Sequence, residues 1–155
     1  MEPLVYDPPQ HGGFAVHSPG DALDAFTSVA SFDRAQILVL MLDAEHRGTT
    51  CLAVDDVRSA DGVLRVGTLL AELAQHEIGL AAVTLASIRP GGGAELADID
   101  RWHSLTTQLG TAGVTLLEWF VFGEHSAVGI GELVDAPWRW RAPEPARLSI
   151  PPRCW

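Results

Sequence analysis

A layered α/β domain, with a central mixed β-sheet flanked by helices, is the fold class this sequence predicts. Two continuous apolar runs, residues 36–43 and 80–86, have the length and composition of strands buried on both faces. Apolar residues recur at helical spacing between such runs, the pattern of helices laid on a sheet. With 155 residues and 47% hydrophobic content, the chain makes one domain that buries roughly 70% of the surface its unfolded form exposes.

Taken in order, residues 1–15 carry Pro3, Pro8, Pro9, Gly12 and Gly13, which predict an irregular arm. Ser18-Pro19 is a helix start, with a capping hydroxyl and proline at the first helical position. Ala22, Leu23, Phe26 and Val29 then predict a helix near 19–30. The run at 36–43 is a central strand, and residues 48–55 are its hairpin partner across Glu45-His46-Arg47. Leu69, Leu70, Leu73 and Ile78 suggest a second helix over about 67–79. A second central strand at 80–86 leads into Pro90-Gly91-Gly92-Gly93, followed by a third helix over about 98–110. Residues 114–122 and 126–130 close the series as strands. The domain is thus expected over 16–135. Residues 136–155 form a tail with five prolines and three tryptophans, Trp138, Trp140 and Trp155. An extended tail can pack across its own domain or reach a second subunit. If extended, Trp138 and Trp140 face the same way and could anchor a dimer contact.

Composition excludes several functions. Twenty acidic groups against ten basic ones give a net charge of -10 and a pI near 4.8, which disfavours nucleic acid and anionic membrane surfaces. All ten basic residues are arginines. Without lysine, Schiff-base catalysis, pyridoxal chemistry and P-loop phosphoryl transfer are excluded. Cys51 and Cys154 have no metal-ligand spacing and form no disulfide framework, so the expected compartment is cytoplasmic. The N-terminal residues have neither a basic region nor a long apolar run, so no signal peptide or membrane span is expected.

The loop after the second central strand carries a family resemblance. Residues 80–100 read LAAVTLASIRPGGGAELADID. The segment resembles the RadC family of the JAB/MPN (JAMM) metalloprotease-like domains, whose strand ends in His-x-His-Pro and is followed by Ser and Asp at the spacing His-x-His-x7-Ser-x2-Asp. Residues 16–22, 38–47 and 116–123 are similar to that family's entry into its first helix, its first strand and its late Leu-Asp-His strand. The resemblance spans about residues 16–133. It implies a JAB/MPN-like, cytidine deaminase-like layered fold.

It also implies a lost metal site. The family's histidines fall on Ser87 and Arg89, its serine on Ala97, and its aspartate on Asp100. The glutamate that acts as general base falls on Ala71, with Glu72 next door. Two imidazoles and a carboxylate would hold Zn²⁺ and leave a position for water. A hydroxyl and a permanently charged guanidinium cannot replace them. No metal, cofactor or catalytic residue is therefore expected, and the resemblance implies a pseudoenzyme.

Other residues have more ordinary explanations. His76 and Glu77 near a helix end suit a polar cap. His103 follows Asp100 by three residues on roughly one helix face, but two ligands without a third make no metal centre. His125 lies in a turn, and Cys51 within a strand is an inert buried thiol. Gly91, Gly92 and Gly93 before a helix suggest an anion nest, to which Arg89 would add charge. Three functions follow as expectations. The first is a non-catalytic RadC-like domain that binds a protein partner or itself. The others are a residual metal-dependent hydrolase rebuilt around Asp100, Glu72 and His103, and a small-anion or nucleotide binder using the glycine loop. A further expectation is that Arg89 replaces the metal by pairing with Asp100.

Overall fold

A computed structural model describes residues 3–6, 14–76, 79–134 and 137–140. In chain order the elements are β1 (Pro3–Tyr6), β2 (Phe14–Ala15), α1 (Pro19–Val29), β3 (Gln36–Leu42), β4 (Arg47–Asp55) and α2 (Gly62–Ala74). There follow β5 (Ala82–Ile88), α3 (Asp98–Thr111), β6 (Thr115–Phe122), β7 (Ala127–Gly129), α4 (Ile130–Leu133) and a 3₁₀ turn, Pro137–Trp140.

The strands form one seven-stranded sheet in the order β1-β4-β3-β5-β6-β7, with β2 also paired to β4. All pairs are antiparallel except β5–β6, which are joined through α3. Every residue of β3 and β5 is buried, as their unbroken apolar composition requires of strands covered on both faces. Alternate side chains serve two cores. Ile37, Val39, Val83, Leu85 and Trp119 pack with Val66 and Leu70 of α2 and with Trp102 and Leu105 of α3. Leu38, Leu40, Leu42 and Phe120 pack with Ala22 and Phe26 of α1. The result is three layers, α1, sheet, and α2 with α3, in agreement with the α/β class.

Local sequence explains the boundaries. The Ser18 hydroxyl accepts from the Asp21 amide at 3.2 Å, and Pro19 opens α1. Asp43 Oδ1 accepts from the Glu45 and Arg47 amides, which closes the β3–β4 turn around His46 at a φ of 59°. Two expectations need correction. The arm 1–15 is not wholly irregular, because Pro3–Tyr6 and Phe14–Ala15 pair with β4. Proline is tolerated there because the pairing is at the sheet edge. Helix α2 starts at Gly62, five residues before the expected start, because Val63 and Val66 extend its buried face.

Helix α2 lies close against α3 at Gly67. A Cβ there would lie 2.6 Å from Gln108 Oε1 and 2.7 Å from Leu105 Cδ2. Gly67→Ala should therefore destabilise the fold by about 1–3 kcal/mol, against the roughly 1 kcal/mol that alanine favours in a free helix. Chemical denaturation checks the sign.

Candidate functional site

The expected site residues do not all meet. Ser87 is the penultimate residue of β5, and its buried hydroxyl accepts from Trp119 Nε1 at 2.9 Å. Arg89 follows, with its amide donating to the Phe122 carbonyl at 2.8 Å. Its guanidinium lies 5.7 Å from the Trp119 ring centre and is only 17% exposed. The Ser87 hydroxyl holds the Trp119 ring, over which the cation lies.

That cation does not reach for Asp100. Arg89 Nη1 and Nη2 donate to Asp98 Oδ2 and Oδ1 at 2.7 and 2.8 Å, a bidentate pair. Asp98 is fully buried, whereas Asp100 is exposed. The clamp expected at Asp100 is therefore corrected to Asp98. Helical geometry supplies the reason. Asp98, Trp102, Leu105 and Leu109 are the buried residues of α3, at the spacing of one helix face. Asp100 lies about 200° around the helix from Asp98.

Asp98 receives two more donors, Arg101 Nη1 at 2.8 Å and the Glu95 amide at 2.8 Å. Arg101 continues the network to Glu95 Oε1 at 2.6 Å and to Asp61 Oδ1, at the entry to α2, at 2.8 Å. Burial pushes the Asp98 carboxyl up, but the hydrogen bonds from Arg89, Glu95 and Arg101 outweigh it and hold it below the ordinary carboxylate range. Arg101 is itself held further above its usual value, chiefly by Asp61.

The glycine loop serves the same network. The Gly92 amide donates to the Arg89 carbonyl at 3.0 Å across Pro90 and Gly91, whose φ is 72°. Proline second and a left-handed glycine third are the residues a type II turn needs. The Gly93 carbonyl accepts from Arg89 Nη1 at 3.0 Å. A Cβ on Gly123 would collide with the Gly92 carbonyl and lie 2.7 Å from Gly93 Cα, so two loops meet there. The expected anion nest is corrected accordingly, since the Gly92 amide and much of the Arg89 guanidinium are turned onto protein oxygens.

Glu72, Ala97 and His103 are exposed, and the hydrogen bonds of the pair go to Gly93, Glu95 and Arg101 instead. Among the described residues, no three His, Cys, Asp or Glu side chains converge as metal ligands. The residues at the strand end do not suit a zinc ion on chemical grounds. A guanidinium points at the carboxylate, and all four lone-pair directions of Asp98 are occupied by donors.

A second buried carboxylate escaped the sequence reading. Glu118 of β6 accepts from its neighbour Trp119 N at 2.8 Å, from Gly131 N at 2.5 Å and from Glu132 N at 3.1 Å, holding the start of α4. Burial keeps its carboxyl above the ordinary value, although these three amides oppose the shift. The paired glycines Gly129 and Gly131 were the available signal. A Cβ on either would lie 2.8 Å from a Glu118 oxygen.

The expected pair of tryptophans is also corrected. Pro137–Trp140 is a 3₁₀ turn, not an extended segment. Trp140 packs against the α1-side core, and Arg139 donates to the Leu116 carbonyl at 3.1 Å with its guanidinium 5.4 Å from the Trp102 ring centre. The expectations for Glu77, Ile78 and the tail beyond Trp140 lie outside the described residues.

Cys51 is 5% exposed, and burial pushes its thiol up to about 11. In a Cys154→Ser variant, a thiol reagent should label the native chain far more slowly than the unfolded chain at neutral pH. Equal rates would contradict this assignment. No helix among the described residues is long and apolar enough to cross a membrane. No protein-family model matches the chain, and no curated protein matches it significantly.

Proposed function

We propose that the chain is a RadC-like JAB/MPN domain in which a guanidinium replaces the metal, and that it is a cytoplasmic protein acting by binding a protein or a second copy of itself. The observation that carries this reading is the bidentate Arg89–Asp98 pair at the end of β5. In the resemblance, Arg89 takes the place of the second metal-binding histidine. A cation supplied by the chain balances a carboxylate at the start of α3, where a metal would otherwise do so. The layered sheet with helices on both faces supports the same reading. The carboxylate used is Asp98, two residues before the one the ungapped motif indicates, so the loop has been rebuilt as well as substituted.

Association would use apolar side chains left at the surface, among them Leu96 and Leu133, which are 83% and 60% exposed. Two measurements test the proposal. Elemental analysis after incubation with Zn²⁺ and desalting should find no stoichiometric metal. Stoichiometric zinc lost on Asp98→Ala or Asp100→Ala would overturn it. Sedimentation of the full chain should show a concentration-dependent dimer, and a strict monomer at micromolar concentration would contradict self-association.

A further inference from the structure

A cleft of about 470 Å³ opens at the strand end beside Arg89. It lies at the carboxyl ends of β4 and β5 and is walled by the connections that follow them, with the connection from α1 to β3 on a third side. The carboxyl ends of strands are the usual place for ligand crevices in open α/β sheets. Arg34, Arg58 and Arg89 line it, one from each connection, with Asp33 and Asp56 as the acidic residues. Arg89 is balanced by Asp98, while Arg34 and Arg58 face Asp55 and Asp56 at longer range, so the cations a ligand could recruit are Arg34 and Arg58.

Two of these cations are only loosely engaged. Arg34 lies 3.9 Å from Asp55 and 3.2 Å from the Ser31 hydroxyl, and Arg58 lies 3.4 Å from Asp56. Their side chains are 59% and 84% exposed. Pairs of this kind contribute little to stability and can exchange for a better acceptor. The walls behind them are held more firmly. Gln36 donates to Asp55 at 2.7 Å, and the Asp56 amide donates to the Ala35 carbonyl at 2.9 Å. Asp56 also adopts a left-handed φ of 65°, a conformation uncommon outside glycine. Apolar Ile37, Val57 and Ile88 complete the lining, which holds no aromatic ring among the described residues.

The geometry points to this cleft as a binding site for a small organic anion of the phosphate monoester or dicarboxylate type, held by Arg34 and Arg58. Guanidinium groups from separate loops suit bidentate contact with such oxyanions. The volume is ample for a molecule of this size. The inference goes beyond the proposed association of the domain and does not depend on it, since Arg34 and Arg58 take no part in the Arg89–Asp98 pair.

Titration of the isotopically labelled full chain by NMR tests it, with glycerol 3-phosphate and succinate as separate probes and sodium chloride as the ionic-strength control. Saturable shifts are expected at the amides of residues 34–37, 56–60 and 87–89 with at least one organic anion. Saturation by glycerol 3-phosphate alone would identify a phosphate site, and by succinate alone a carboxylate site. An Arg34→Ala/Arg58→Ala variant should bind about tenfold more weakly or worse. Because both side chains are exposed, its melting temperature should match that of the parent chain. Shifts reproduced by sodium chloride, an absence of saturable shifts with either anion, or unchanged affinity in the folded double variant would overturn the assignment.

Discussion

Asp98→Ala is expected to destabilise the domain by about 3–5 kcal/mol, the range for breaking a buried ion pair from one side. Asp98 is fully buried and its removal leaves the Arg89 guanidinium, itself only 17% exposed, without its carboxylate. Arg101 loses the same partner, although Asp61 and Glu95 remain to it. Asp100→Ala, two residues away on the exposed side of α3, should change stability by no more than about 0.5 kcal/mol. Urea denaturation of the two variants separates these positions clearly. Equal effects would mean that the pair does not anchor the loop.

The same pair sets a dependence on acid. Because the folded-state pKa of Asp98 is lowered, its contribution is fully present above the unfolded value of about 3.9. It is lost as pH falls through the lower folded value. The stability gap between the parent chain and Asp98→Asn should therefore narrow in that window. A gap that stays constant from neutral pH to below the folded value would contradict the ionised pair.

The second large effect is expected at Glu118. Replacement by alanine removes the acceptor of three amides and should cost about 3 kcal/mol or more, at roughly 1 kcal/mol or above for each bond. The loss should be local in its first consequence. Hydrogen exchange at the Gly131 and Glu132 amides should accelerate more than exchange in β3, because α4 is held to β6 through this carboxylate. The pH sign is opposite to that of Asp98. A raised folded-state pKa means that the proton-linked part of the Glu118 contribution is present below the unfolded value and is lost as pH rises through the folded one, while the three amide bonds remain. Unchanged exchange at the α4 amides would rule out the latch.

Much of the fold was legible because the strongest signals were long and periodic. The apolar run of β3 and the one at β5 could only be strands covered twice, and Ser18-Pro19 marked its helix with two independent cues. Short edge pairing was not legible. Two residues of β2 carry no period, and their strand character comes from β4 beside them. Of the site, sequence identified Arg89 as the important cation but chose the wrong carboxylate. Motif spacing favoured Asp100, whereas the helix face shared with Trp102 and Leu105 favours Asp98. Arg101 and Trp119 were missed because their roles depend on α3 and β6 meeting beside β5. The cleft was missed for a similar reason, since its three arginines are brought together only by the sheet.

The central claim is that a guanidinium and a buried carboxylate are coupled where the resemblance puts a metal, and a double-mutant cycle on Arg89 and Asp98 tests it most directly. Stability would be measured by denaturant unfolding for the parent chain, Arg89→Ala, Asp98→Ala and the double variant, with the same cycle on Arg89 and Asp100 as control. A coupling energy of about 2–3 kcal/mol for Arg89 with Asp98, and near zero for Arg89 with Asp100, is the predicted result. Additivity within about 0.5 kcal/mol at Arg89 and Asp98 would contradict the claim.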